Sequence, residues 1–174
     1  MDAARANTPT PPTSSALSRT AAGAPALLLA CGNSLRQDDG VGLRIAEAAE
    51  QLIPASRLRI VAAQQFTPEM AADLAATDLV IFVDACAADA PGAIRVSPVE
   101  ASAESPETHR LDPPALLAMA SSLCGHTPAH AFALTVGAGR FGYGTEIAGP
   151  VRQAIPRACR LVTNLLSAFS RTQA

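Results

Sequence analysis

Two adjacent carboxylates in a glycine-bounded turn are the part of this chain best suited to chemistry. Residues 32–42 read GNSLRQDDGVG and directly follow the apolar run Ala26–Cys31. A turn that opens a helix usually offers its backbone N–H groups to an anion such as phosphate. Here Asp38 and Asp39 would repel a phosphate and attract a cation. The turn is therefore predicted to be a site for a metal ion or a cationic group.

Asp84 and His109 are the other groups whose positions suggest that they meet this turn. Asp84 ends the apolar run Leu79–Val83, and His109 lies in a polar loop just ahead of a predicted helix. Ligands of an open α/β sheet bind outside the carboxyl ends of its strands, so all these groups are expected at one edge. Carboxylate oxygens and an imidazole nitrogen suit a divalent ion. Without a metal, the same groups could act as general acids and bases.

Each of these residues also has a purely structural interpretation. Asp38 could cap the following helix, and Asp39 could be a second acid favoured by the helix dipole. Asp84 is harder to explain in this way, because a buried carboxylate without partners is costly. His109 by itself would be an ordinary surface histidine, and only the two acids near it suggest a role.

The elements that must position these residues alternate between apolar strands and amphipathic helices. This order predicts the α/β class: a three-layer sandwich with a mostly parallel central sheet of about five strands flanked by helices. Thr67 and Asp112 are predicted N-caps, since each precedes a proline at a helix start. The predicted strands are Ala26–Cys31, Leu58–Ala62, Leu79–Val83, Ala93–Ser97 and Ala131–Val136; the predicted helices run from Gly40 to about Leu52, Thr67 to about Ala75, Asp112 to about Leu123 and Pro150 to about Phe169.

The composition is typical of one globular domain preceded by a tail. Of the 174 residues, 49% are hydrophobic and 16% are charged. Residues 1–24 lack apolar periodicity and are predicted to be a disordered tail, which leaves residues 25–171 as a single α/β domain. No run approaches the ~18 apolar residues of a membrane span, so we expect no membrane partner. The cysteine usage described below favours a cytoplasmic protein.

Several classes of function are disfavoured by composition and by missing motifs. The net charge is −2 and there is no Trp, so a nucleic-acid partner has no support. All 13 basic residues are Arg, which excludes Schiff-base chemistry and a P-loop lysine. The chain has neither a GxSxG elbow nor an HExxH helix, and its glycines do not follow the dinucleotide-binding spacing. His126 and His130 are assigned structural roles.

The four cysteines are widely spaced, without a CxxC pair that would indicate a zinc site or a thioredoxin-like centre. A chain of this length does not need disulfides, so reduced thiols are expected. Cys31 and Cys86 lie near the acids, which disfavour a thiolate nucleophile. A packed, inert thiol is the preferred interpretation, and an accessory metal ligand is the alternative.

In combination, these motifs resemble those of the hydrogenase maturation endopeptidases. The resemblance covers about Ala26 to Phe169. It is carried by the acidic turn at 32–42, Gln65-x-Thr67-Pro68-Glu69, Val83-Asp84-Ala85, Thr108-His109 and Phe141-Gly142-Tyr143-Gly144.

The resemblance implies a fairly specific function. Proteases of this family remove a C-terminal extension from the large-subunit precursor of NiFe hydrogenases after nickel has been inserted. It implies that Asp39, Asp84 and His109 form the catalytic and metal-contacting site. The nickel would be carried by the substrate rather than held by the protease. The first position is often Glu in the family, so Asp39 is one methylene shorter.

The mechanism and the class of function keep alternatives at this stage. The ion could polarise the scissile carbonyl or activate water, or Asp39 or Asp84 could be the general base. The alternative to a peptidase is a non-catalytic maturation chaperone that checks nickel loading with the same residues. A small-molecule hydrolase with a carboxylate pair is a third candidate.

Overall fold

The structure is a computed structural model that describes residues 26–102 and 111–172. A short 3-10 helix, Gln37–Gly40, carries both acids of the glycine-bounded segment and is called the acidic turn below. The strands are β1 (Ala26–Cys31), β2 (Leu58–Ala63), β3 (Leu79–Cys86), β4 (Ile94–Pro98) and β5 (His130–Gly137), and the helices are α1 (Val41–Leu52), α2 (Met70–Ala75), α3 (Pro113–Cys124) and α4 (Gly149–Thr172).

The five strands form one sheet in the order β2-β1-β3-β5-β4. Neighbouring strands are parallel except for β4 and β5, which are antiparallel. Helices α1 and α4 pack on one face, and α2 and α3 pack on the other. The predicted three-layer α/β sandwich with a mostly parallel sheet is therefore confirmed.

The central strand β3 is buried on both faces, which explains its uninterrupted apolar sequence. Leu79, Ile81 and Val83 belong to the core under α1 and α4, whereas Val80 and Phe82 belong to the core under α2 and α3. Burial of each such side chain contributes about 1.5–3 kcal/mol to folding. Because strand residues alternate between faces, the next residue on the side of Phe82 is Asp84.

The two predicted helix caps have different outcomes. The Asp112 carboxylate accepts a hydrogen bond from the Ala115 N–H at 2.9 Å, with proline at the start of α3, as predicted. The prediction for Thr67 is wrong, because α2 begins later, at Met70, and its N-cap position makes no side-chain hydrogen bond. Backbone carbonyls take over instead: the Met70 N–H donates to the Thr67 oxygen at 3.1 Å.

Two parts of the sequence-based interpretation lie outside the described residues: the predicted tail at 1–24 and His109. The assignment of 25–171 to a single domain stays a prediction. Within the described ranges, no helix combines the length and the apolar character needed to cross a bilayer.

Gly42 allows the start of helix α1 to pack closely against the sheet. A Cβ at Gly42 would overlap the carbonyl oxygen of Cys31 and lie 3.0 Å from that of Val83. The start of α1 thus rests directly on the ends of β1 and β3. This close approach holds the acidic turn, which immediately precedes α1, against the edge of the sheet.

Replacing Gly42 with alanine should destabilise the protein, because backbone atoms cannot move aside as a flexible side chain can. We expect Gly42→Ala to lower the free energy of unfolding by about 3 kcal/mol, at the upper end of overpacking costs. Gly149→Ala is the matched control, since a Cβ there meets nothing within 4 Å. It should change stability by less than about 1 kcal/mol. Urea unfolding of both variants tests this, and equal stability would contradict the proposed seating.

Candidate active site

Asp84 lies inside β3 rather than beyond its end, which corrects the predicted strand boundary. Pairing between β1 and β3 stops at Ala30 and Val83, whereas β5 accompanies β3 through Cys86. Asp84 is therefore paired with Thr135 of β5 on one side, and on the other side it lies beyond the last residue pair between β1 and β3. Its Oδ1 accepts a hydrogen bond from the Ala85 N–H at 2.8 Å.

Asp39 lies in the acidic turn, at the same edge of the sheet. The turn contacts β3 as well as α1. The backbone N–H of Asp39 donates to the Arg36 oxygen at 3.2 Å, while its half-buried side chain has no hydrogen bond or ion pair among the residues that the structure describes. The acidic turn with Asp39 thus lies against β3, the strand that carries Asp84, and no described residue engages the carboxylate of Asp39.

Asp38 has a structural role different from the helix cap considered for it. It is fully buried, and α1 has no side-chain cap. Its Oδ2 accepts hydrogen bonds from the N–H groups of Gly139 at 3.1 Å and Arg140 at 2.9 Å, and its Oδ1 accepts one from Ala148 at 2.7 Å. Three charge-assisted hydrogen bonds compensate the buried carboxylate. They also attach the loop at 138–148, between β5 and α4, to the acidic turn.

The two adjacent acids therefore differ in what they can do chemically. Both oxygens of Asp38 already accept N–H groups, so binding a cation there would require breaking the attachment of the loop. The carboxylate of Asp39 has no hydrogen bond or ion pair within the described residues. This difference favours Asp39 over Asp38 as the acid that contacts a ligand.

A cleft of about 430 Å³ opens beside Asp84 on the face of the sheet that carries α2 and α3. Its walls are mainly apolar, and the first residues of α3 form part of the rim. Asp84, Thr135 and Glu100 supply polar groups. The other lining residues are Phe66, Phe82, Ala85, Cys86, Ser97, Pro98, Val99, Pro113, Pro114 and Ala133.

Local sequence patterns carry little signal for most of the residues that line this cleft. Ser97–Glu100 reach it only because β4 turns back and pairs antiparallel with β5, a non-local contact. The packing of Phe66 against Phe82, with ring centroids 5.6 Å apart, likewise joins distant segments. An apolar pattern along the chain identifies such residues as buried without showing which of them border a cavity.

The third predicted ligand, His109, falls outside the described residues and remains a prediction. The chain is described again from Leu111, which forms an isolated antiparallel bridge with the cleft residue Phe66. Within 26–102 and 111–172, no three His, Cys, Asp or Glu side chains group so that they could hold a metal ion. Since one member of the predicted set of Asp39, Asp84 and His109 is not described, that set is not tested.

The cysteines support the interpretation of inert thiols near the site. None of the four is in a disulfide. Cys31 is buried and its thiol donates to the Gln64 oxygen at 3.3 Å. Burial raises the pKa of the Cys159 thiol, which lies far from this edge, in α4.

A small polar cluster closes the turn between β3 and β4, next to the cleft. The Arg95 guanidinium donates to the Asp89 carboxylate and holds the pKa of that carboxyl below its ordinary value. The nearby thiol of Cys86 contributes to the same lowering of the Asp89 pKa. These contacts engage Cys86 in the turn and give it a structural role.

Comparison with known proteins supplies relatives by structure alone. No protein-family profile matches the chain, and no curated protein sequence does. The hydrogenase maturating endopeptidase HybD from E. coli matches with a TM-score of 0.68 at 25% identity, over 83% of this chain and 93% of that one. The NiFe hydrogenase maturation protease HycI from Thermococcus kodakarensis matches with a TM-score of 0.65 at 22% identity, over 84% and 95%. A hydrogenase 2 maturation peptidase from a Thaumarchaeota archaeon matches with a TM-score of 0.63 at 22% identity, over 82% and 98%.

The different roles of the two adjacent acids can be tested by identical substitutions. Asp38→Asn places an amide group opposite backbone N–H donors, whichever way the side chain is turned. We expect it to lower the free energy of unfolding by about 3 kcal/mol, since a buried charge-assisted bond is lost and a donor is left unsatisfied. Asp39→Asn, the matched control, should change it by less than about 1 kcal/mol.

Chemical denaturation of both variants and the parent measures this difference. Equal losses of stability would show that the carboxylate of Asp38 does not hold the loop at 138–148 in place.

Proposed function

Since this chain belongs to the structural family of the hydrogenase maturation proteases, we propose that it is an endopeptidase that acts in hydrogenase maturation. The more specific proposal is that it removes the C-terminal extension of a nickel-loaded large-subunit precursor of a NiFe hydrogenase. The motifs along the sequence support this activity, and so does the fold that the chain shares with proteins named as such proteases.

The observation that carries the proposal is that one acid, Asp84, lines an apolar cleft, while a second acid, Asp39, lies in the acidic turn that contacts the same strand, β3. The carboxylate of Asp39 has no hydrogen bond or ion pair among the residues that the structure describes. A volume of about 430 Å³ is within the range of sites that hold small ligands, and it would accept a few side chains of an extended peptide. A peptide bound there would bring its backbone close to Asp84, the acid that lines the cleft.

Nickel enters the proposal as part of the substrate. Asp39, Asp84 and His109 would complete the coordination of an ion that the precursor already holds, and oxygen and imidazole donors suit that task. An ion in this position favours attack on the scissile carbonyl by polarising it or by activating water. In the alternative route, Asp39 or Asp84 takes the proton from the attacking water. Both routes require these carboxylates at the edge of the sheet.

The requirement for a loaded precursor follows from the same arrangement. In the route through the ion, a carboxylate pair without a cation lacks the Lewis acid that would polarise the scissile carbonyl or activate water. An empty precursor would therefore bind without being cut, and cleavage would report that nickel insertion is complete.

The test is a cleavage assay with the full precursor, with and without nickel, read by the mass of the product. We expect Asp84→Asn and His109→Ala to slow cleavage by about 100-fold or more, the usual size of general acid–base and metal-contact effects. Both variants should unfold within about 1 kcal/mol of the parent. Glu50→Gln, an exposed carboxylate on α1, is the control that should cleave normally.

Each outcome of this assay distinguishes between the candidate functions. Loss of mass at the precursor C-terminus, dependent on nickel, identifies the peptidase. Nickel-dependent binding without loss of mass would identify the maturation chaperone instead. Normal cleavage by both variants would show that the site is misassigned.

A further inference from the structure

Two loops beside the candidate site are joined by backbone hydrogen bonds across more than a hundred residues of sequence. The Gln37 N–H donates to the Gly144 oxygen at 2.9 Å, and the Gly144 N–H donates to the Leu35 oxygen at 2.9 Å. The Asp38 N–H donates to the Arg140 oxygen at 3.0 Å. These contacts, together with the three hydrogen bonds to the Asp38 carboxylate, connect the two loops to each other. The loops, residues 33–38 and 139–144, are called the paired loops here.

Backbone strain within the paired loops is concentrated at Gln37. Its φ is 54°, a left-handed conformation that is uncommon for a residue other than glycine. Such a residue costs about 1–3 kcal/mol and persists only where surrounding contacts enforce it. Here its side chain lies over Gly142, where a Cβ would be 3.3 Å from Gln37 Oε1. The strain indicates that this loop shape serves something other than stability.

The paired loops expose two large, mainly apolar side chains to solvent. Tyr143, the one tyrosine of the chain, is 98% exposed, and Leu35 is 60% exposed. Arg36 and Arg140 are exposed on the same loops, and the Arg36 guanidinium donates to the Phe141 oxygen at 3.3 Å. Tyrosine and arginine are the side chains that most often dominate the energy of protein interfaces. Since the loops are already ordered, docking would not require ordering them again.

We propose that the paired loops are the docking surface for the folded body of the large-subunit precursor, with Tyr143 and Leu35 as its anchors. This inference rests on the proposed function, because it names the surface that presents the substrate to the same site. The side chains project outward instead of enclosing a concavity, which suits a protein surface rather than a small ligand.

The position of the paired loops supports this choice of partner. The Arg36 oxygen accepts the hydrogen bond of the Asp39 N–H, so the docking surface and the candidate active-site acid belong to the same turn. A protein held at Tyr143 and Leu35 therefore lies beside Asp39. Its C-terminal segment would need to span only a short distance to reach this acid.

The test separates docking from chemistry by measuring KM and kcat with nickel-loaded precursor. Tyr143→Ala should raise KM at least about tenfold, equivalent to ~1.4 kcal/mol of binding, and Leu35→Ala should raise it less. The kcat at saturating precursor should stay within about twofold, because neither side chain acts on the scissile bond. Tyr143→Phe should restore most of the affinity if the ring is the anchor.

Leu123→Ala is the matched control, since Leu123 is 71% exposed at the far end of α3. It should leave both constants unchanged. A KM for Tyr143→Ala within about twofold of the parent would overturn the docking surface while leaving the peptidase in place.

Direct binding of the precursor, measured by calorimetry, distinguishes the failure of the proposed function from the failure of this inference. If the parent protein binds but does not cleave, an approximately tenfold weaker Kd for Tyr143→Ala than for Leu123→Ala would still support the docking surface. Equal affinities of the two variants, or no binding by the parent protein, would overturn it.

Discussion

The buried carboxylate of Asp38 is the contact on which the candidate site depends. It replaces its hydration with three backbone N–H donors of the loop between β5 and α4. Burying a charged carboxylate costs free energy unless its oxygens accept hydrogen bonds, as these do. The loop must therefore adopt the conformation that supplies the three N–H donors. The acidic turn, the loop and the start of α4 thus become one rigid unit. The site is built on that unit rather than on freely moving loops.

A second constraint, the lack of space at Gly42, determines where the unit lies relative to the sheet. Because α1 rests on the carbonyls of Cys31 and Val83, the turn before it cannot move away from the ends of β1 and β3. Asp39 is thereby held against β3, whose pairing with β1 stops at Val83, just before Asp84. Pairing with β5 continues past Asp84 and keeps its backbone straight. Precise placement of both acids follows from backbone packing, so either acid can change its ligand state without loss of the fold.

The sequence allowed most of the architecture to be predicted, for reasons that are local. Uninterrupted apolar runs of five or six residues predicted β1 and β3, because a parallel strand covered on both faces carries apolar side chains on both of them. Asp112 followed by prolines predicted the start of α3, because capping involves neighbours in the sequence. The prediction of an N-cap at Thr67 failed because backbone carbonyls in the turn before α2 accept the N–H groups at its start. No side-chain cap was needed there.

By itself, then, the sequence determined the strand and helix order and the acids that can reach one edge, Asp38, Asp39 and Asp84, since both depend on short-range patterns. Only the tertiary structure decided between Asp38 and Asp39. The two side chains are adjacent and chemically identical, and they differ only in the N–H donors that a loop one hundred residues away brings to Asp38. The cleft and the exposed position of Tyr143 were also visible only in the tertiary structure. Both arise where segments distant in the sequence come into contact, and no local sequence pattern predicts such a contact.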